Sequence, residues 1–328
     1  MRTYKVSSNE NPYPPLGGVL AATQAALGGM NRYPDAGNGI LHEALSEFLG
    51  VGVERLASAP GSVALIYHLL QAYAGPGDEV VHAWRSFEAY PIAITVAGAL
   101  GVPVPLDPDS RHDLDAMANA VTRNTRVVLL CTPNNPTGPA ITQRELDEFL
   151  ARVPPRVLVV VDEAYREFVR ASDPVDGVRT QSAHDNVVVL RTFSKAYGLA
   201  GLRVGYAIAH PEVADALRAL TLPFAVSVPA QVAAVESLRH REGLMARVDA
   251  LVGERDRVLA GVRDAGLCVP DAQGNFVWFP TGEVTQSWLV RAEGFGIAVR
   301  PFGREGIRVS IGEPEANDRT VELVRTMR

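Results

Sequence analysis

Between residues 56 and 210, short runs of consecutive apolar residues alternate with longer stretches in which apolar positions recur every three or four residues. The runs at 79–83, 102–106, 127–131, 156–161, 187–190 and 204–209 lack the polar alternation of a half-exposed strand, so they read as strands buried on both faces. Helical spacing fills 63–73, a stretch ending near 99, 113–121 and 142–152. A strand, helix, strand order predicts an α/β fold with a mostly parallel sheet flanked by helices, and in such sheets functional groups gather at the carboxyl ends of the strands.

The flanks read differently. Residues 5–16 carry Pro12, Pro14 and Pro15 beside Asn9 and Asn11, which predicts an extended arm laid over something else. Helices are predicted at 17–27, closed by Gly28 and Gly29, and at 40–49, stopped at Gly50, with a turn-rich loop at 31–39 between them. After His210 come a helix at 211–220, a break at 223–229 and one long helical pattern over 230–262. Strand-like segments at 274–279, 297–300 and 306–312 around a helix near 284–293 then predict a smaller α+β unit.

Composition narrows the function. With 328 residues, 47% hydrophobic and 21% charged, the chain has the length for a large core and two domains. A net charge of −6 and the lack of any basic run argue against nucleic acid and an anionic membrane surface as partners. Residues 1–6 lack an apolar signal core, and no apolar run approaches the roughly 18 residues that span a bilayer, which predicts a cytoplasmic protein. Cys131 and Cys268 have no ligand spacing and the seven histidines are scattered, so no metal site is expected.

The chemistry concentrates at predicted strand ends. Lys195 follows the run 187–190 and stands among Thr192, Ser194 and Arg203; burial there lowers the pKa of its amine, and a neutral amine attacks carbonyls. Asp162 ends another buried run, and a carboxylate in that place needs a cation against it. A protonated pyridine nitrogen fits, and an aspartate for a pyridinium together with a Schiff-base lysine describes a pyridoxal phosphate site. Tyr165 and Asn135 can then bond the ring's phenolic oxygen, and Phe87 offers a stacking face. The phosphate falls to the free N–H groups of Gly61, Ser62 and Val63 at a helix start, to Thr192 or Ser194, and to Arg203. Taken singly, each has a plainer reading: a snorkelling lysine, core or surface aromatics at Phe87, Tyr33 and Tyr13, and a solvated Arg308.

Asn135-Pro-Thr-Gly138, Asp162-Glu-Ala-Tyr165 and Ser194-Lys-Ala-Tyr-Gly-Leu-Ala-Gly-Leu-Arg203, in this order, resemble the fold-type-I pyridoxal-phosphate aminotransferases. The arm Ser8-Asn-Glu-Asn-Pro-Tyr13, the loop Arg32-Tyr-Pro-Asp35 and the strand Ile307-Arg-Val-Ser-Ile-Gly312 are similar to the histidinol-phosphate aminotransferase branch. Within it, Trp84-Arg-Ser-Phe-Glu-Ala-Tyr-Pro91 resembles the actinobacterial aromatic amino acid (phenylalanine) aminotransferases; histidinol-phosphate enzymes more often have Pro-Thr before the stacking aromatic.

The resemblance implies that Lys195 bonds the cofactor, that Asp162 pairs with its ring nitrogen, and that Asn135, Tyr165 and Phe87 hold its ring. It implies that Ser62, Val63, Ser194 and Arg203 hold the phosphate and that Tyr33 reaches across a homodimer interface to the partner's cofactor. Arg308 matches the arginine that clamps a substrate carboxylate, Arg300 a helper, and Tyr13 with the arm a cover for the substrate side chain. Val63 departs from the polar or acidic residue usual after that Gly-Ser pair, though its N–H can still serve. The implied layout is an arm and part of a small domain at 1–30, a large cofactor-binding domain at 31–212 and a small α+β domain at 213–328. The implied reaction passes the amino group of an aromatic amino acid to 2-oxoglutarate. The rivals are the same reaction on histidinol phosphate, with Arg308 and Arg300 on the phosphate, and a decarboxylase on the same scaffold.

Overall fold

The computed structural model describes residues 2–327. The arm contributes strand β1 (Tyr4–Lys5), followed by helices α1 (Gly17–Ala26) and α2 (Gly39–Leu49). The alternating region gives β2 (Leu56–Ala59), α3 (Ser62–Tyr73), β3 (Glu79–Trp84), α4 (Ala89–Ala97), β4 (Leu100–Pro105), α5 (Leu114–Asn119) and β5 (Thr125–Cys131). It continues through α6 (Gln143–Leu150), β6 (Leu158–Asp162), α7 (Gly177–Ala183), β7 (Val187–Thr192) and β8 (Gly205–Ile208). Then come α8 (Pro211–Leu220), α9 (Val228–Arg239), α10 (Arg241–Asp264), β9 (Phe276–Phe279), α11 (Thr285–Gly294), β10 (Ile297–Ala298), β11 (Arg300–Phe302), β12 (Gly306–Ser310) and α12 (Pro314–Thr326).

Seven strands form one sheet in the order β2-β8-β7-β6-β5-β3-β4. All neighbours pair in parallel except β8, which runs antiparallel to both β7 and β2. The continuous apolar runs are explained by burial on both sides. Val128, Leu130, Val159, Val161, Val187 and Val189 enter one core, while Val127, Leu129, Leu158, Val160, Val188 and Leu190 enter the other, under α3, α4 and α8.

Two details depart from the pattern. Helix α7 has only seven residues and too little periodicity to be read in advance; the Asp176 side chain caps it by accepting from the Arg179 N–H at 3.1 Å. The single helical pattern over 230–262 is two helices meeting at His240, because the apolar stripe changes partner: α9 packs on α1 and α2, whereas α10 packs on α12.

The arm is extended, as its prolines require. Residues of β1 pair in parallel with β10, Tyr4 opposite Ile297 and Lys5 opposite Ala298. The Ser310 N–H then donates to the Val6 carbonyl at 2.8 Å, so the arm runs alongside the small antiparallel sheet β11-β12-β9.

Candidate active site

The carboxyl ends of β3, β5, β6 and β7 open onto one cavity of about 320 Å³. Ser62, Val63, Phe87, Asn135, Asp162, Tyr165, Thr192, Ser194, Lys195, Arg203, Arg300 and Arg308 all line it. Tyr13 and Tyr33 do not: Tyr13 lies under the Arg247 guanidinium, 5.5 Å from its ring, and Tyr33 is 82% exposed and stacked on Phe224 at 4.7 Å. The structure adds Ser7, Ser8 and Glu88, which sequence reasoning left without a role.

An anion cradle sits at the start of α3. Gly61 has φ +87°, and a Cβ there would stand 2.6 Å from Arg203 Nη2, so only glycine lets the guanidinium lie against this turn. A Cβ on Gly205 of β8 would likewise fall 2.4 Å from the Ser62 nitrogen. The Gly61 N–H turns back to the Ala59 carbonyl at 2.6 Å, which corrects the expectation that it faces a ligand and leaves Ser62 and Val63 at the helix start. Arg203 Nη1 donates to Ser194 Oγ at 3.2 Å and to the Ala200 carbonyl at 2.9 Å, which holds the cation beside the helix start. Thr192 Oγ1 accepts from the Ser194 N–H at 3.1 Å and shapes the same turn.

Asp162 is buried where β6 ends, opposite Cys131 in the register with β5. Its Oδ2 accepts from the Tyr90 hydroxyl at 3.0 Å, while Oδ1 is buried with no hydrogen-bond partner. Burial pushes this carboxyl up to about 6, against the opposing pull of the Tyr90 hydrogen bond. The expected cation is thus not supplied by any described side chain in contact with it. Cys131 shares this wall, and burial pushes its thiol up to about 12, so it is a small apolar filler and no nucleophile.

Tyr165 and Asn135 each have one polar group committed and one left over. The Tyr165 hydroxyl accepts from Asn9 Nδ2 at 2.9 Å, and burial raises it to about 12, so its own hydrogen is available to donate. Asn135 Oδ1 accepts from Arg308 Nη1 at 2.6 Å, leaving the amide Nδ2 as a donor. Arg308 is buried, contrary to the plainer reading of a solvated strand position; Nη2 donates to the Ser7 carbonyl at 2.6 Å and Nε has no partner.

Lys195 Nζ lies 3.4 Å from the Ser8 carbonyl and 5.7 Å from the centre of the Tyr165 ring. Burial first, and the Arg308 and Arg203 cations second, pull its pKa down to about 8, so a substantial part of the amine is neutral near pH 8. The arm therefore touches Arg308, Lys195 and Tyr165 through Ser7, Ser8 and Asn9 in succession. Asn9 is locked by its N–H to Ser310 Oγ at 2.7 Å, and its left-handed φ of 52° is one that asparagine tolerates.

The family model for "Aminotransferase class I and II" matches residues 3–324. The chain belongs to this aminotransferase family. It is 56% identical over 326 residues to an aromatic amino acid aminotransferase of Streptomyces avermitilis, covering 99% of this chain and 90% of that one. A Thermobifida fusca protein of the same name is 51% identical, with 99% and 90% covered. Among solved structures, the aminotransferase is similar to the histidinol-phosphate aminotransferase of Sinorhizobium meliloti in complex with pyridoxal-5′-phosphate, with TM-score 0.91 and 28% identity over 100% of this chain and 92% of that one. The fold-type-I architecture read from the motifs is therefore that of this aminotransferase.

The two neighbours that sequence reasoning left without a role, Tyr90 and Asn9, carried weak signals. Tyr90 stands three residues after Phe87, one helical turn along, where the same wall is within reach. Asn9 lies in the quoted arm motif, but nothing in its spacing shows that it bonds a tyrosine 156 residues away.

Proposed function

We propose that this aminotransferase moves the amino group of an aromatic amino acid to a 2-oxo acid such as 2-oxoglutarate, with pyridoxal 5′-phosphate held in the cavity. The observation that carries the cofactor's place is Asp162 Oδ1, a buried carboxylate oxygen without a partner in the same cavity as an anion cradle. The residues fit the group. A pyridinium N–H would satisfy that oxygen, the Asn135 amide and the Tyr165 hydroxyl would donate to the phenolic oxygen, and Phe87 would lie against the ring. Ser62, Val63, Thr192, Ser194 and Arg203 would take the phosphate. When bound, the cofactor supplies an aldehyde for an amine to condense with and a ring that takes up the electron pair left on the substrate's Cα.

The chain's own residues do the rest. Asp162, once paired, keeps the ring nitrogen protonated. Lys195, part of whose amine is neutral at a pKa of about 8, takes the Cα proton on Nζ and hands it on from the same face. Arg308 clamps the substrate carboxylate, for which Nη2 exchanges the Ser7 carbonyl for a charged oxygen. Arg300 assists at the cavity wall, and the arm covers the substrate through Ser7 and Ser8, which line the cavity. Aromatic donors are supported by the likeness to the Streptomyces and Thermobifida enzymes and by Phe87, which lines the cavity and meets Tyr90 edge-on at 5.6 Å.

The test is a donor screen of the loaded enzyme with 2-oxoglutarate. Phenylalanine, tyrosine and tryptophan are expected to react; activity with histidinol phosphate alone overturns the reading. Lys195→Ala is expected to abolish turnover while the fold persists, and retained activity removes the lysine from its role.

We infer further that two copies meet through the patch around Tyr33, where Met30 and Leu222 are 75% exposed and the Tyr33–Phe224 stack lies between solvent and chain. Tyr33→Glu is expected to yield monomers in sedimentation and weaker cofactor retention. No helix among the described residues is long and apolar enough to cross a membrane, and both cysteines are unpaired, which fits a reducing cytoplasm. The division at 31–212 and 213–328 stands as part of this proposal, with the cavity lined from both parts.

A further inference from the structure

Glu88 and Arg300 face each other across the cavity wall, with Arg300 Nη2 donating to Glu88 Oε2 at 3.0 Å. They come from separate elements: Glu88 precedes α4 beyond the end of β3, while Arg300 opens β11. Their side chains keep 39% and 50% of their surface in solvent, so the pair contributes little to stability. Its importance lies in what it does to the charge available to a ligand.

Arg300 stands directly opposite Arg308 in the β11–β12 ladder, so a substrate clamped by Arg308 has Arg300 within reach. Three guanidinium groups surround Phe302: Arg85 at 5.6 Å, Arg300 at 5.9 Å and Arg308 at 5.6 Å from its ring centre. Arg85 is paired with Glu305 and Arg300 with Glu88, whereas Arg308 bonds only the neutral oxygens of Asn135 and Ser7. Around that ring, the protein has neutralised every cation except the one suited to an α-carboxylate.

We propose that Glu88 is a specificity-determining residue: by holding Arg300 in an ion pair beside the Arg308 clamp, it disfavours donors that carry a phosphate monoester in place of the α-carboxylate and leaves aromatic amino acids, whose carboxylate Arg308 alone can hold, unopposed. A phosphate monoester entering there must take Arg300 from Glu88 and then sit, with close to two negative charges, beside the displaced carboxylate. A carboxylate held by Arg308 alone leaves the Glu88–Arg300 pair intact. The discrimination is thus built from a repulsive element as well as an attractive one.

This inference rests on the aromatic reading of the same site, and the experiment separates the two. The amino-donor half-reaction of the loaded enzyme is followed by the cofactor absorbance without an acceptor, using phenylalanine and histidinol phosphate. The measured quantity is the ratio of their second-order rate constants, which does not depend on how much of a variant is folded. Glu88→Gln is expected to raise the ratio of histidinol phosphate to phenylalanine at least fivefold, and the double variant Glu88→Gln/Arg300→Gln to lose that gain. A smaller rise in the single variant, or a gain that survives in the double variant, overturns the role of Glu88. If the unaltered enzyme reacts with histidinol phosphate and not with phenylalanine, it is the aromatic reading that fails.

Discussion

Asp162 and Glu163 are consecutive in the chain and equally buried, at 3% and 2% exposure, yet they meet opposite fates. Side chains at successive positions of a strand point to opposite faces. Asp162 joins Tyr90 and Cys131 at the cavity and is left with one bare oxygen. Glu163 falls on the other face; its Oε1 also lacks a hydrogen-bond partner, but its Oε2 accepts from Arg191 Nε at 2.7 Å and Arg166 lies 3.5 Å away, so it has cations where Asp162 has none in contact. It is packed so closely on the start of α7 that a Cβ on Gly177 would stand 2.7 Å from its Oε1. Burial disfavours the Arg191 charge, but Glu163 outweighs it and holds that guanidinium well above its ordinary pKa. One carboxylate has its cation from β7; the other has a place for a cation that the chain does not supply. A buried charge paired within the protein is architecture, and one left unpaired at a cavity is an address for a ligand.

The sharpest break between them is expected in turnover. Asp162→Asn removes the charge that keeps the ring nitrogen protonated and is expected to cost about ten-thousand-fold in turnover, near 5 kcal/mol, measured in steady-state assays with saturating cofactor. Glu163→Gln should do the reverse: it strands the Arg191 guanidinium in the core and lowers unfolding free energy by about 4 kcal/mol in urea titrations, while the enzyme that stays folded turns over far better than the Asp162 variant.

The pH dependence separates them next. Below the ordinary aspartate value of 3.8, Asp162 is protonated in both folded and unfolded chains; between there and about 6 only the folded chain holds the proton. The cofactor-free enzyme therefore loses stability as pH rises through that window, by about 3 kcal/mol in all, and the loss is complete above it. Asp162→Asn should erase this slope when denaturation midpoints are compared at pH 4 and 7. The smallest effect is expected at Tyr90→Phe. It bares the second oxygen of Asp162 and should weaken cofactor binding by about 1 kcal/mol, a few-fold in a fluorescence titration.

The sheet was legible because burial on both faces leaves uninterrupted apolar runs, and the four parallel strands β3, β5, β6 and β7 have that signature; β4, expected to be buried on both faces, is an edge strand that fully buries only Val104. Lys195, Asp162, Asn135 and Tyr165 could be picked out because each ends or follows such a run, where this architecture exposes chemistry, and Arg203 because it directly precedes the next one. What stayed hidden depends on the third dimension. Nothing in the sequence distinguishes Asp162 from Glu163 by partner, since Arg191 lies 28 residues on and Tyr90 lies 72 residues back. The capture of Arg300 by Glu88 spans 212 residues, and the turn that withdraws the Gly61 N–H is a matter of two backbone dihedrals. The break at His240 was invisible because both helices keep their apolar spacing and only the neighbour changes.

The arm's contacts also set an order of events during synthesis. Asn9 is held by Ser310, 301 residues later, and β1 finds its partner only in Ile297 and Ala298. While the chain is being made, the seven-stranded sheet can close with Asp162, Tyr165 and Lys195 in place and offers Ser8 and Asn9 one partner each, but Ser7 still lacks Arg308 and the Asn9 backbone lacks Ser310. The loaded catalytic groups are thus completed last by one of the segments made earliest, and a nascent chain halted before residue 297 would carry a cofactor wall with its cover still loose.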